Sequence, residues 1–129
     1  MDYYTKVAEF VPTTSKEAVR IPQLFYNEWI CRYGVPEQLT SDNGTEVAAE
    51  FTHMLARLAI NHIRTSVAHP SANDAAERLV QTMKRMLSRH VNDHTNAWLQ
   101  SPSHIRMAYM SRTHTAIGGI APIELLMGF

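Results

Sequence analysis

Two acidic residues, Asp42 and Glu77, lie in settings that would place their carboxylates at the edge of a fold rather than in its core. Asp42 follows a short strand-like run and precedes Asn43-Gly44, a dipeptide typical of turns. Glu77 stands at the start of a long amphipathic stretch and is expected in the first turn of a helix. Converging carboxylates are what a hard cation such as Mg²⁺ requires. Two such cations held close together can drive phosphoryl transfer at nucleic acid.

Each carboxylate also has a purely structural explanation. Asp-Asn-Gly most often forms only a turn. With Asp74 as N-cap, Glu77 would occupy the third helical position and reach back to the cap N–H in a capping box. The functional interpretation is favoured because the two motifs occur together and in this order. A helix-like and then a strand-like stretch separate them.

The elements that must position these residues follow from hydrophobic periodicity and turn signals. Strands are predicted at 1–12, 38–42 and 60–66. Helices are predicted at 13–34, from Thr45 or Glu46 to about Leu58, from Ala75 to about Asn92, from Trp98 to about Arg112, and at 123–127 after Pro122. Pro22 should bend or restart the first helix, and Gly34 should end it. A loop rich in turn residues is predicted at 67–73.

Apolar residues recur at three- and four-residue steps in the helices and mark the sides expected to be buried. In the second helix they are Val47, Phe51, Met54, Leu55 and Leu58. In the long helix they are Leu79, Val80, Met83, Met86, Leu87 and Val91. In the next helix they are Trp98, Leu99, Ile105, Ala108 and Tyr109. We expect Phe25 and Trp29 to pack in the core, and Ile63 to anchor its strand.

The long helix also carries the most basic part of the chain, formed by Arg78, Lys84, Arg85 and Arg89. Lys84 lies seven residues beyond Glu77, on the same helix face, and Gln81 and Ser88 share that face. Such a cluster can be a solvated helix face. It can equally contact DNA phosphates beside a metal site.

Composition bounds what the rest of the chain can be. The 129 residues suit one domain spanning 1–129, and 45% are hydrophobic, enough for a packed core. The 12 basic and 12 acidic side chains give zero net charge, so any nucleic-acid binding must come from local clusters. Cys31 is the only cysteine, which excludes an internal disulfide framework and a Cys-based zinc site. No apolar run approaches the ~20 residues of a membrane span, and no signal peptide is evident.

Two motifs, read together, resemble the catalytic core of retroviral-type integrases, in the form found in gypsy-type LTR retrotransposons. The first is Ser41-Asp42-Asn43-Gly44-Thr45-Glu46, and the second is His69-Pro70-x-x-Asn73-x-x-x-Glu77-Arg78. The resemblance extends over nearly the whole chain and includes 32–36, 80–84 and 122–128. It implies an α/β, ribonuclease H-like fold with a mixed sheet and flanking helices.

The resemblance also implies a site and a reaction. The family binds two divalent ions, Mg²⁺ or Mn²⁺, through two aspartates and a glutamate. Asp42 matches the second aspartate and Glu77 the glutamate, as catalytic metal ligands. The implied function is DNA integration, with water attacking in 3′-end processing and a DNA 3′-hydroxyl attacking in strand transfer. Gln81, Lys84 and Arg85 would contact DNA.

The implied partners are DNA and further copies of the chain, as a homodimer or higher oligomer, with no membrane. The implied location is the nucleus.

The chain departs from the family pattern at its front end. The family's first strand, which carries the first catalytic aspartate, has no counterpart here, and Asp2 matches an aspartate that is not a ligand. The family's N-terminal zinc module is not present either. Ala68 stands where relatives usually have Tyr, and Asp74 where they have Gly. We therefore expect an incomplete copy with little activity. The alternative is a domesticated, non-catalytic remnant that binds DNA or protein.

Overall fold

Two parallel strands and six α-helices make up the described part of the chain. The computed structural model describes residues 1–13, 20–42, 49–65, 74–93 and 101–128. The chain divides into two units: 13–74, here called the sheet unit, and 1–12 with 75–129, here called the long-helix unit. A single domain over 1–129 stays a prediction. Several predicted features lie outside the described residues: Thr45 or Glu46 as a helix start, Val47, the loop at 67–73, and Trp98 with Leu99.

The first described element of the sheet unit is a helix in three consecutive segments. These are α1 (Arg20–Phe25), a π-helical turn (Tyr26–Ile30) and α2 (Cys31–Tyr33). Pro22 was predicted to bend or restart the helix. It lies at the third residue of α1, and the helix continues through it to the π-helical turn. Gly34 ends the helix as predicted, with φ of 91° and its N–H donating to the carbonyl of Ile30 at 2.9 Å.

The sheet itself consists of β1 (Gln38–Asp42) and β2 (Asn61–Thr65), joined through α3 (Ala49–Arg57). The two strands pair in parallel, from Gln38 opposite Asn61 to Asp42 opposite Thr65. The bounds of β1 are those predicted, because an Asn-Gly turn signal follows directly after it. The described strands pair only in parallel, so the antiparallel part of a mixed sheet stays a prediction.

A small apolar core holds the sheet unit together. Its buried members are Ile30, Phe51, Leu55 and Ile60. Around them pack Ile21, Phe25, Trp29, Leu39, Met54 and Leu58. The core roles predicted for Phe25 and Trp29, and the predicted face of α3, are therefore confirmed.

The prediction for Ile63 is wrong, since this side chain is 39% exposed. Successive strand residues point to opposite faces of a sheet. Ile60 and His62 lie on the side of α3, so Ile63 faces away from the core.

The C-terminus of α3 ends in a Schellman motif. The N–H of Ile60 donates to the carbonyl of Leu55 at 2.9 Å, and the N–H of Ala59 donates to the carbonyl of Ala56 at 3.1 Å. Ile60 and Leu55 are both buried in the same core. Ala59, however, has φ of 56°, in the left-handed region where a Cβ is unfavourable and glycine is usual.

Ala59→Gly should therefore raise the free energy of unfolding by about 0.5–1 kcal/mol, measured by chemical denaturation. The gain comes from removing the Cβ at positive φ, less the greater chain entropy of glycine when unfolded. Ala56→Gly, one turn earlier in α3, is the control and should instead destabilise by about 1 kcal/mol. Equal destabilisation by both substitutions would contradict the expectation.

The long-helix unit contains α4 (Asp74–Asp93), α5 (Ser101–Met110), a 3₁₀ turn (Thr115–Ile117) and α6 (Pro122–Met127). α4 and α6 match their predicted helices to within a residue or two, the usual uncertainty of helix ends. Gly118 and Gly119, with φ of 74° and 77°, lie between the 3₁₀ turn and α6. Among the described residues, no helix has the length and apolar character needed to cross a membrane.

Burial in the long-helix unit differs from the prediction at three positions. In α5, Ile105 and Tyr109 are buried as expected, but Ala108 is exposed and the fully buried Met110 was missed. In α4, Val80 is 43% exposed because it lies on the side of the helix that carries the polar residues. The other predicted α4 residues with described side chains are half-buried: Leu79, Met83, Met86 and Leu87.

The strand predicted at 1–12 is wrong, because residues 1–13 form no strand. The backbone hydrogen bonds are used within a tight turn, where Asp2 N–H donates to the carbonyl of Val7 and Lys6 N–H donates to that of Asp2. The Asp2 carboxylate also accepts the amide of Thr5 at 2.8 Å. Further along, Glu9 is nearly buried and accepts a hydrogen bond from Nε of Arg106 in α5 at 2.7 Å.

Candidate metal and nucleic-acid site

Asp42 is the last residue of β1 and is exposed, as predicted for a carboxylate at a strand end. Its neighbour across the sheet is Thr65, the last residue of β2. Leu39 packs against the core on the side of α3, so the alternation of side chains places Asp42 on the opposite face. The carboxylate is thus directed away from the core of its own unit. The turn predicted at Asn43-Gly44 lies outside the described residues.

Side-chain hydrogen bonds surround the backbone at this end of β1. Ser41 Oγ lies 2.8 Å from His62 Nε2. The same hydroxyl donates to the carbonyl of Asp42 at 3.2 Å. Thr65 Oγ1 donates to the carbonyl of Ser41, also at 3.2 Å. These three residues were missed in the sequence, where only the Asp42 motif gave a signal.

The imidazole of His62 connects this cluster to the core. Its ring meets the buried ring of Phe51 edge to face, with centroids 6.0 Å apart. Burial lowers the pKa of His62, and the positive charge of Arg64 lowers it further. A neutral imidazole carries one N–H. The contact between Ser41 Oγ and His62 Nε2 is a hydrogen bond in either imidazole tautomer, because a hydroxyl can both donate and accept.

Glu77 lies in the first turn of α4 and is exposed, as predicted. Gln81, Lys84 and Arg85 are also exposed, and helical geometry places all of them on one side of α4. Arg85 Nε donates to the backbone carbonyl of Gln81 at 3.4 Å, which holds the guanidinium along the helix. One exposed side of α4 therefore carries a carboxylate, an amide and two cations.

The two predicted metal ligands belong to different units, Asp42 to the sheet unit and Glu77 to the long-helix unit. Their convergence stays a prediction. Among the described residues, no three His, Cys, Asp or Glu side chains form a cluster that could hold a metal ion.

The chain is similar to parts of an uncharacterized protein and of retroelement polyproteins. It is 33% identical over 129 residues to an uncharacterized protein of Caenorhabditis elegans, covering 99% of this chain and 10% of that protein. It is 24% identical to the Gag-Pol polyprotein of Walleye dermal sarcoma virus, and the match covers 99% of this chain and 7% of that polyprotein. It is also 24% identical to the Transposon Tf2-3 polyprotein of Schizosaccharomyces pombe, and the match covers 98% of this chain and 10% of that polyprotein. The chain thus spans a tenth or less of these relatives. No family model matches it.

Solved structures agree with these relatives. A chain of the simian T-cell lymphotropic virus intasome superposes with a TM-score of 0.80 at 19% identity, covering 96% of this chain and 45% of that one. The HTLV-2 integrase catalytic core domain superposes with a TM-score of 0.72 at 16% identity, covering 95% and 78%. The chain is homologous to retroviral-type integrase cores and shares their α/β, ribonuclease H-like fold.

Asp42 and Glu77 can be compared with the ligands that a divalent ion prefers. Asp42 and Glu77 offer exposed carboxylate oxygens, the hard ligands that Mg²⁺ and Mn²⁺ prefer. Neither residue belongs to the apolar cores of the two units. Each carboxylate is therefore of the ligand type that such an ion prefers.

Proposed function

We propose that this integrase core serves DNA integration, cutting and joining phosphodiester bonds with divalent cations. The observation that carries the proposal is the exposed side of α4, where Glu77 shares one helix face with Gln81 and Lys84. A carboxylate beside amide and ammonium donors suits a metal ion next to a phosphate backbone. Homology to retroviral Gag-Pol and transposon polyproteins supports the same role.

Asp42 and Glu77 are the residues that would hold Mg²⁺ or Mn²⁺. Bound divalent cations would supply activation of the attacking oxygen and stabilisation of the leaving one. The HTLV-2 core, which shares this fold, was solved in complex with magnesium. The two side chains act as ligands in this proposal, and neither one attacks the phosphodiester itself.

Gln81, Lys84 and Arg85 would contact DNA. Phosphate contacts fix the position of a protein on a duplex, and Lys, Arg and Gln side chains are common donors to phosphate oxygens. The net charge of the chain is zero, so this local group of cations must supply the attraction.

Self-association and a nuclear location belong to the same proposal. The HTLV-2 integrase core was solved in a trimeric and in a dimeric form. The simian T-cell lymphotropic virus chain was solved within an intasome. We propose that this chain likewise acts as an oligomer on nuclear DNA.

Isothermal titration of Mn²⁺ into the full chain tests the metal assignment. Asp42→Asn and Glu77→Gln should each weaken binding by more than about tenfold, because even changes outside the ligand shell commonly cost that much. Glu50→Gln is the matched control, since Glu50 is also an exposed carboxylate in the first turn of a helix. It should leave Mn²⁺ affinity unchanged.

Equal Mn²⁺ binding by all four proteins would overturn the metal assignment. So would a wild-type chain that binds no Mn²⁺. If DNA binding persisted in that case, the chain would instead be a non-catalytic DNA-binding module.

A further inference from the structure

Three side-chain hydrogen bonds lie at the end of β1, and two of them end on the backbone carbonyls of Ser41 and Asp42. Thr65 donates to the carbonyl of Ser41, and the Ser41 hydroxyl donates to the carbonyl of Asp42. The Ser41 hydroxyl in turn contacts His62 Nε2 at 2.8 Å. The carbonyl of Ser41 directly precedes the Cα of Asp42, and the carbonyl of Asp42 directly follows it. These contacts therefore restrain the backbone that carries the carboxylate.

We propose that Ser41, His62 and Thr65 are positioning residues for Asp42, fixing the direction in which its carboxylate meets a divalent cation. This rests on the proposed role of Asp42 as a metal ligand and adds residues to that site. Thr65 and Ser41 contact the carbonyls on either side of the Asp42 Cα, and His62 contacts the Ser41 hydroxyl.

The position of Asp42 explains why such support is needed. Asp42 and Thr65 form the last pair of the described parallel ladder. Strand ends are where local opening of backbone hydrogen bonds is easiest. Side-chain bonds from the neighbouring strand add restraint at this point.

His62 links that restraint to the buried core. Its imidazole lies edge-on against Phe51, which is only 4% exposed. Packing fixes the ring plane, and the ring fixes the Ser41 hydroxyl through Nε2. A chain of contacts therefore runs from Phe51 through His62 and Ser41 to the carbonyl of Asp42. Such outer-shell support is how proteins commonly orient ligating side chains.

Mn²⁺ titration of paired variants tests the proposal. Thr65→Val removes the hydroxyl without changing the size of the side chain, and Ser41→Ala removes both Oγ contacts. Each should weaken Mn²⁺ binding by about tenfold, the usual scale of outer-shell changes. Thr65→Ser keeps the hydroxyl and should bind Mn²⁺ with wild-type affinity. His62→Gln keeps a side-chain N–H donor and should bind Mn²⁺ more tightly than His62→Leu.

The control is Thr52→Val, which removes another side-chain hydrogen bond of the same unit. Thr52 Oγ1 accepts a hydrogen bond from Arg64 Nη2 at 3.0 Å, and this contact includes neither Ser41 nor Asp42. Its Mn²⁺ affinity should equal that of the wild type. Thermal melting of every variant sets a titration temperature at which all are folded, so a loss of affinity cannot be a loss of fold.

The outcomes separate this proposal from the metal assignment. If Asp42→Asn loses Mn²⁺ binding while Thr65→Val and Ser41→Ala keep it, the positioning role is wrong and the ligand role stands. If Thr52→Val weakens binding as much as Thr65→Val, the effect is general destabilisation and the positioning role is also wrong. If the wild type and Asp42→Asn bind equally, both proposals fail together.

Discussion

Leu55→Ala is expected to lower the free energy of unfolding by about 3 kcal/mol, within the 2–5 kcal/mol typical of buried leucines. Leu55 is 1% exposed and belongs to the core of the sheet unit with Ile30, Phe51 and Ile60. The truncation removes apolar contacts and leaves a cavity that neighbouring helix and strand residues can fill only in part. Urea denaturation, followed by circular dichroism, measures the change.

Leu125→Ala is the matched control for that experiment. The same atoms are removed, but Leu125 is 41% exposed on α6, so the change should stay within about 0.5 kcal/mol. A loss for Leu55→Ala no larger than for Leu125→Ala would mean that the cluster around Leu55 does not hold the sheet unit together.

Replacing both Lys84 and Arg85 by Gln should flatten the salt dependence of duplex DNA binding. Each phosphate contact contributes about 0.9 to the slope of log affinity against log salt, so the double variant should lose about 2 units of slope. At low salt its affinity should fall by about tenfold or more, because two cation–phosphate contacts are removed. Fluorescence anisotropy with a short labelled duplex across a salt series gives both quantities.

The double variant Arg57→Gln and Arg112→Gln removes the same charge from elsewhere on the surface. Both arginines are exposed, and neither lies on α4. If net charge alone governed binding, this control would change the slope as much as the α4 variant does. A DNA interface on α4 requires the two variants to differ clearly.

The local positions of the two carboxylates could be predicted from the sequence, because each depends on a nearby signal. The Asn-Gly dipeptide after Asp42 fixed the end of β1, and the apolar periodicity after Glu77 fixed the first turn of α4. The convergence of Asp42 with Glu77 does not follow from a nearby signal. It depends on how residues 35 positions apart come together, and it stays a prediction.

The features that the sequence could not predict depend on the register of the two strands and on which face of the sheet meets α3. Ile60 and Ile63 are three residues apart, so in a strand they point to opposite sides, and the sequence does not say which side meets α3. The contact between Ser41 and His62 arises only when β1 and β2 pair in parallel with Leu39 opposite His62. A shift of one residue would move His62 to the other face.

The strand predicted at the N-terminus failed for a related reason. β-branched and aromatic residues show that a segment can join a sheet, but a partner strand must be present for it to do so. In the described structure, Asp2 makes its hydrogen bonds with Thr5, Lys6 and Val7 in a local turn.

The ion pair between Glu9 and Arg106 has a consequence for the order in which the protein is made. The two residues are 97 positions apart, so Glu9 leaves the ribosome about 5 to 20 seconds before its partner, at 5 to 20 residues per second. The sheet unit, by contrast, is contiguous in the chain, and all of its core residues emerge before α5 is translated. The Glu9 carboxylate therefore stays in water until Arg106 has been synthesised, whereas the residues of the sheet unit are complete before then. A nascent chain halted after residue 74 is a piece in which one unit has all its residues and the other has only its first twelve.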